Sequence, residues 1–227
     1  MNPDDLLELL RHRATVRAFE DRPVPRALLV RLLEAATRAP SPTNRQPWRF
    51  TVVTGQATRE KLVQHTRDAV AEIRGVIATG PHPDHLADYW DYFVKPLASA
   101  RAIVVVSYKC MPDTLAGLVR DAGADPAHYV TVEQWDGEVC AAAAATMLLL
   151  LQAQAEGLGA CWMSGPLLAR ERICGLLKIA RPWRMLGGVA LGWPAEQPVP
   201  TARKPLVKVV EWFEDEPGQQ QQKETVE

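Results

Sequence analysis

The sequence predicts a sheet with helices packed around it, as a two-layer α+β or a three-layer α/β domain. Helical and strand patterns alternate along the chain. One long helix, Glu133 to Glu156, is apolar almost all round through Ala141–Ala145 and Leu148–Leu151, as a core helix is. The apolar runs Ile103–Tyr108 and Met185–Gly192 read as buried strands.

The elements follow in order. Asn2 as N-cap, Pro3 at the first helical position and Asp4/Asp5 in the first turn predict a helix start, with Leu6, Leu7, Leu9 and Leu10 as its apolar face. From Arg11 to Arg26 the chain is basic and irregular. Pro25 opens an amphipathic helix carrying Leu28, Leu29, Leu32, Leu33 and Ala36, which stops before Pro40. A polar loop bracketed by prolines, Pro40 to Pro47, leads into a strand over Trp48–Thr54. A charged helix is expected from Thr58 to Ile77, ended by Gly80-Pro81-His82-Pro83. Met111 to Trp135 is turn-rich and suits a lid or insertion. Gly157 and Gly159 end the core helix, Ala160–Met163 forms a short strand, and Pro166 starts another helix. Leu206–Phe213 reads as an extended piece beyond a Pro-rich linker, of the kind that pairs with another subunit. The domain spans 1–213, and the Gln-rich stretch 214–227 reads as a disordered polar tail.

Composition narrows the function classes. The 227 residues carry 26 Lys+Arg against 27 Asp+Glu, a formal charge of −1. That balance gives no reason to expect nucleic acid or an anionic membrane as partner. The length suffices to bury about 70% of the unfolded surface without disulfide or metal staples. The four cysteines, Cys110, Cys140, Cys161 and Cys174, match neither a zinc ribbon nor a C-x-x-C motif, and three lie in apolar runs that predict buried free thiols. The acidic start, without an apolar segment behind it, predicts a cytoplasmic protein. The longest apolar run, Val139–Leu151, is shorter than the roughly 20 residues of a membrane span.

Four stretches hold residues suited to chemistry. Arg13-Ala14-Thr15-Val16-Arg17 sets two guanidinium groups around a hydroxyl, suited to phosphate or carboxylate oxygens or, alternatively, to surface pairing with Glu20 and Asp21. Ser41-Pro42-Thr43-Asn44-Arg45-Gln46 is a donor-rich loop able to read the edge of a heteroaromatic ring, or merely to cap backbone. Gly157 to Pro166 lacks the G-x-G-x-x-G spacing and the G-x-S-x-G elbow, which excludes a Rossmann fingerprint and a Ser164 nucleophile; Gly165 lets backbone pass close to a ligand. Arg203-Lys204 is a second cationic pair that makes a phosphate site if it converges with the first. No spacing suggests a metal.

Together these stretches resemble the nitroreductase family of FMN-dependent oxidoreductases. Arg13 through Phe19 is similar to its R-x-S/T-x-R/K-x-F block. Ala39-Pro40-Ser41, Asn44 and Gln46-Pro47-Trp48 match its A-P-S-x-x-N-x-Q-P-W signature. Gly157-Leu158-Gly159, Gly165, Leu191–Pro194 and Arg203–Leu206 resemble its closing blocks. The resemblance implies an α+β sandwich with a central mixed sheet, a homodimer whose C-terminal segment extends onto the partner subunit, and FMN at the interface. It implies that Arg13, Arg203 and Lys204 hold the phosphate, with Ala14 beside them, and that Thr15 bonds the ribityl chain. Arg17 is implied at the N1/O2 edge, where a cation favours the reduced cofactor. Ser41, Pro42, Thr43, Asn44 and Gln46 would come from the neighbouring subunit. Met163, Ser164 and Gly165 would pass beside the ring, a backbone N–H facing N5. A polar or basic residue before the strand at Ile103 is also implied, Lys95 being the nearest candidate.

Two departures stand out. Ala14 replaces a polar residue of many members, and Gly80–Pro96 is rich in aromatics (Tyr89, Trp90, Tyr92, Phe93). Those rings, or Tyr129 and Trp135, either cover the flavin face or pack a short helix. The activity implied is hydride transfer from NADPH or NADH to an electron-poor small molecule such as a nitroaromatic or quinone, with no side chain required as acid or base. The alternatives are an oxygen-using or dehydrogenating member of the superfamily (flavin-fragmenting, dehalogenase or natural-product dehydrogenase), a non-catalytic flavin carrier, and a simple anion-binding domain.

Overall fold

The computed structural model describes residues 2–83, 87–110, 114–129 and 137–213. The Glu133 start of the long helix, Trp135 and the tail from Glu214 lie outside them, as does the side chain of Tyr89. Four strands, β1 (Trp48–Val53), β2 (Ala102–Lys109), β3 (Gly159–Met163) and β4 (Trp183–Gly192), form a sheet in the order β1-β2-β4-β3. All three pairings are antiparallel, which corrects the expectation of a mixed sheet.

Helices cover both faces, so the domain is α+β by strand direction yet three layers deep. On one face α2 (Arg26–Ala36) and α6 (Gly137–Ala155) pack against Ala102, Val104 and Val106 of β2. On the other, α3 (Gln56–Ala78), α4 (Lys95–Ser99) and α7 (Arg170–Leu177) pack against Ile103 and Val105. Successive strand residues point to opposite faces, so a strand covered twice reads as a continuous apolar run. This double cover explains why β2 shows no alternation. Among the described residues the other α-helices are α1 (Pro3–His12) and α5 (Thr114–Asp121), the latter inside the stretch read as turn-rich.

Local chemistry accounts for the ends. The Asn2 side chain accepts from the Asp4 N–H, and Asp5 Oδ2 accepts from the Asn2 N–H at 2.9 Å, closing a capping box on α1. Gly157 follows α6 at φ 72°, and the Leu158 N–H reaches back to the Ala153 carbonyl at 2.8 Å. By length and composition α6 is long and apolar enough to cross a membrane, but Ala142, Ala145, Leu149 and Ala153 are buried against the sheet and α2. Its opposite side is only half covered, and Cys140 there is exposed, contrary to the expectation for that thiol. Cys161 is buried and Cys174 half-buried.

Beyond β4 the chain leaves the sheet. Leu206–Phe213, expected to be extended, contains one 3₁₀ turn at Leu206–Lys208 and pairs with no strand among the described residues. Its apolar side chains stand in solvent, with Trp212 80% and Phe213 94% exposed.

Candidate functional site

The site grows from the segment that follows α1. Ala14, Val16 and Phe19 are buried, while Thr15 and Arg17 are exposed and Arg13 is half-buried. An extended chain alternates its side chains, so Arg13, Thr15 and Arg17 share one face. The segment lies along the free edge of β3, where the Val16 N–H donates to the Ala160 carbonyl at 3.1 Å. Gly159 permits this approach: a Cβ there would lie 2.7 Å from Cβ of Val16. Asp21, a suggested partner for the basic cluster, instead pairs with Arg101 at 2.8 Å.

A pocket of about 370 Å³ opens on the polar face of this segment. Arg13, Thr15 and Arg203 line it together with Leu10, Met147 and Trp162, and among the described residues no carboxylate is in its wall. Arg203 is preset by hydrogen bonds from one guanidinium nitrogen to the Thr201 hydroxyl at 2.6 Å and carbonyl at 3.0 Å. The two cationic stretches, at opposite ends of the domain, therefore converge. Ala14 turns its methyl into the core, which leaves only its backbone for a ligand. Lys204 is exposed and outside the pocket wall. Trp162 (39% exposed) is a pocket residue that motif reasoning missed; the alternation of Gly159–Met163 puts it on the side opposite the buried Cys161 and Met163.

Ser41–Gln46 forms a separate cluster, outside this pocket in the same chain. The Gln46 N–H donates to Ser41 Oγ at 2.9 Å, Gln46 Nε2 to Asn44 Oδ1 at 3.3 Å, and Arg45 Nε to Thr43 Oγ1 at 3.0 Å. Thr43, Asn44 and Gln46 all have positive φ, near 50°. Three non-glycine residues held in the left-handed region store strain, which concentrates at binding sites. Pro42 seats against Gly137, and Arg45 faces Glu138 at 3.7 Å, so the loop is braced on the start of α6. Thr43, Asn44 and Gln46 remain exposed.

Met163 is buried at the end of β3, and Ser164 is exposed. Gly165 does admit a close backbone approach, but from the protein itself: a Cβ there would sit 2.5 Å from the Phe93 carbonyl oxygen. Arg17 lies with its guanidinium carbon 5.1 Å from the centre of the Tyr92 ring. Lys95, exposed, opens α4 just beyond. Burial pushes the Cys161 thiol up to about 11, the Arg17 charge acting in the opposite sense. Cys161 is therefore protonated and expected to resist a thiol reagent at pH 8 in the folded protein, while exposed Cys110 reacts at once. Peptide mapping after brief labelling checks this; equal labelling of the two would contradict it.

A second cavity of about 740 Å³ lies between the ends of β2 and β4 and α7. Arg170, Arg181, Arg184, Tyr108, Cys174 and Trp183 are in its wall, and no sequence motif pointed to it. No residue of the Arg13 pocket lines it.

The structure is an antiparallel sheet sandwiched by helices, with a cationic pocket beside an edge strand. The chain belongs to the nitroreductase family, whose sequence profile matches residues 10–193. An NADH dehydrogenase of Thermus thermophilus is 31% identical over 216 residues, covering 88% of this chain and 92% of the relative. A BluB-like flavoprotein of Clostridium difficile has the same fold, with a TM-score of 0.81 at 20% identity over 94% of this chain and 100% of the other. A nitroreductase with bound FMN from Desulfitobacterium hafniense overlaps with a TM-score of 0.68 at 18% identity, covering 94% and 100%.

Proposed function

We propose that this protein is an FMN-dependent oxidoreductase that passes hydride from NADPH or NADH to an electron-poor small molecule such as a nitroaromatic or quinone. The observation that carries the reading is the convergence of Arg13, Thr15 and Arg203 on one pocket. That donor set fits a phosphate ester with a hydroxylated chain: two forked cations for the phosphate and one hydroxyl for the chain. The relatives' names, an NADH dehydrogenase and an FMN-bound nitroreductase, support the same choice.

In this reading Arg13 and Arg203 bind the phosphate, with Lys204 beside them, and Thr15 holds the ribityl chain. Arg17 sets a positive charge near the pyrimidine end of the ring, and Met163–Gly165 border it. The chemistry FMN supplies when bound is transfer of hydride, two electrons with one proton, from NAD(P)H to the acceptor; solvent supplies the second proton that turns a quinone into a hydroquinone. No side chain is needed as acid or base.

The site is completed in a homodimer. Ser41–Gln46 is preset yet outside the pocket of its own chain, so its donors serve a neighbouring subunit. The exposed apolar side chains of Leu206–Phe213 and the half-covered side of α6 supply the surface for that subunit.

The test is the visible spectrum of purified protein under anaerobic NADPH, then NADH. A flavin band that bleaches within seconds and returns on adding a quinone or nitroaromatic is expected. A band that neither nucleotide bleaches would move the assignment to an oxygen-using or dehydrogenating member, or a carrier. No flavin after reconstitution with FMN would overturn it.

A further inference from the structure

The second cavity, of about 740 Å³, has the size that takes a small organic molecule. Two kinds of residue make its wall. Met185 and Ile179 are buried and apolar, and the half-buried Trp183 and Tyr108 add aromatic surface. Trp183 is held on two sides: its backbone N–H donates to the Ala180 carbonyl at 3.1 Å, and the Arg49 guanidinium carbon lies 5.6 Å from its ring centre. The same wall carries three cations, Arg170, Arg181 and Arg184, against one carboxylate, Glu171. Among the described residues none of the three arginines forms an ion pair or a side-chain hydrogen bond. Arg172, on the same helix but outside the cavity wall, does pair, with Glu72 at 2.6 Å. Cations that share one wall repel each other, and a bound anion relieves that repulsion. The charge also reaches the thiol in this wall: burial raises the Cys174 pKa, and Arg170 opposes the rise.

We infer that this cavity is a second ligand site, which takes an aromatic acid: a flat ring system bearing a carboxylate or a phosphate. The planar fork of arginine matches either group through parallel charge-assisted hydrogen bonds. The ring system lies against the aromatic and apolar part of the wall, which a bare inorganic anion would leave unused. No residue of the Arg13 pocket lines this cavity, so the acid binds apart from the proposed FMN phosphate site. The inference does not depend on the FMN reading.

The experiment titrates the full-length protein, after incubation with FMN, with naphthoate and with naphthyl phosphate by calorimetry. Naphthylmethanol, acetate and inorganic phosphate are the comparison compounds. One aromatic acid per chain is expected, with the uncharged alcohol and the ring-free anions weaker by about 10-fold or more. Replacing Arg170, Arg181 and Arg184 together with alanine should weaken the acid by about 10- to 100-fold and leave FMN affinity unchanged. All three are exposed, so the triple variant should fold, with a thermal midpoint at or above that of the parent. Naphthoate should raise the midpoint of the parent and not that of the triple variant. A second readout needs no substitution. Cys110 and Cys174 line the cavity, so bound naphthoate should slow their labelling by a thiol reagent and leave Cys140, outside it, at its own rate. Equal binding by the parent and the triple variant, or unprotected Cys110 and Cys174, would overturn the inference. So would acetate or naphthylmethanol binding as tightly as naphthoate. Each of these outcomes leaves the FMN reading untouched, and failure to bind FMN leaves this site to be judged by the same titrations.

Discussion

Replacing Arg13 and Arg203 together with alanine is expected to weaken FMN binding by about 10²- to 10⁴-fold. Each guanidinium offers charge-assisted hydrogen bonds of roughly 1.5–3 kcal/mol to a phosphate, and the pair share one pocket whose wall, among the described residues, holds no carboxylate. Arg203 is exposed and Arg13 half-buried, so the fold should survive their truncation, and the thermal midpoint of the FMN-free protein should hardly move. The single variants should not sum to the double, because two cations serving one phosphate are coupled. Titration of FMN-free protein with FMN measures all three. Full affinity in the double variant would show that the pocket between α1 and β3 is not the phosphate site.

Gly165→Ala is the second change with a large expected effect. A methyl group there would meet the carbonyl oxygen, Cα and carbonyl carbon of Phe93 at 2.5–3.1 Å, and backbone atoms cannot swing aside as a side-chain end can. Overpacking of this kind costs about 1–3 kcal/mol, or a fall of roughly 2–12 °C in thermal midpoint for a domain of this size. The cost should be accompanied by weaker FMN binding, because Met163–Gly165 border the ring in the proposed reading. Gly75→Ala is the matched control. It lies in the interior of α3 with nothing within 4 Å of the new methyl, and should stabilise by about 0.4–1 kcal/mol. Equal midpoints for Gly165→Ala and the parent would mean that the 90–93 segment yields freely.

Much of this site is legible in the sequence because it depends on local periodicity. Arg13-Ala14-Thr15-Val16-Arg17 alternates polar and apolar residues, and the structure uses that alternation, with Ala14 and Val16 in the core and the cations outside. The loop Ser41–Gln46 is also legible as donor-rich and rigid. Its left-handed backbone is not, because Thr43, Asn44 and Gln46 lack the glycine that normally announces positive φ. Strand direction was equally hidden. β2 pairs with β4, some 80 residues later, and a strand buried on both faces looks the same in sequence whichever way its neighbours run. The exposure of Cys140 was missed for a related reason: α6 is apolar around its whole circumference, and composition alone cannot say which side meets the sheet. The large cavity near α7 draws its lining from scattered positions with no shared spacing, so no motif exists to find.

The segment that carries Arg13, Thr15 and Arg17 also covers the open edge of the sheet. The N–H of Val16 bonds to Ala160 on β3, and the N–H of Glu20 bonds to the Trp193 carbonyl just past β4. An uncovered β3 would present unpaired amide and carbonyl groups, a template for edge-to-edge association with other chains. In the proposed reading the strip Arg13–Glu20 therefore both meets the ligand and shields the sheet edge. Side-chain changes in this strip can remove the first and spare the second. Loss of its backbone removes both, so a truncation that begins after Phe19 should be recovered as aggregate and not as an inactive, folded protein.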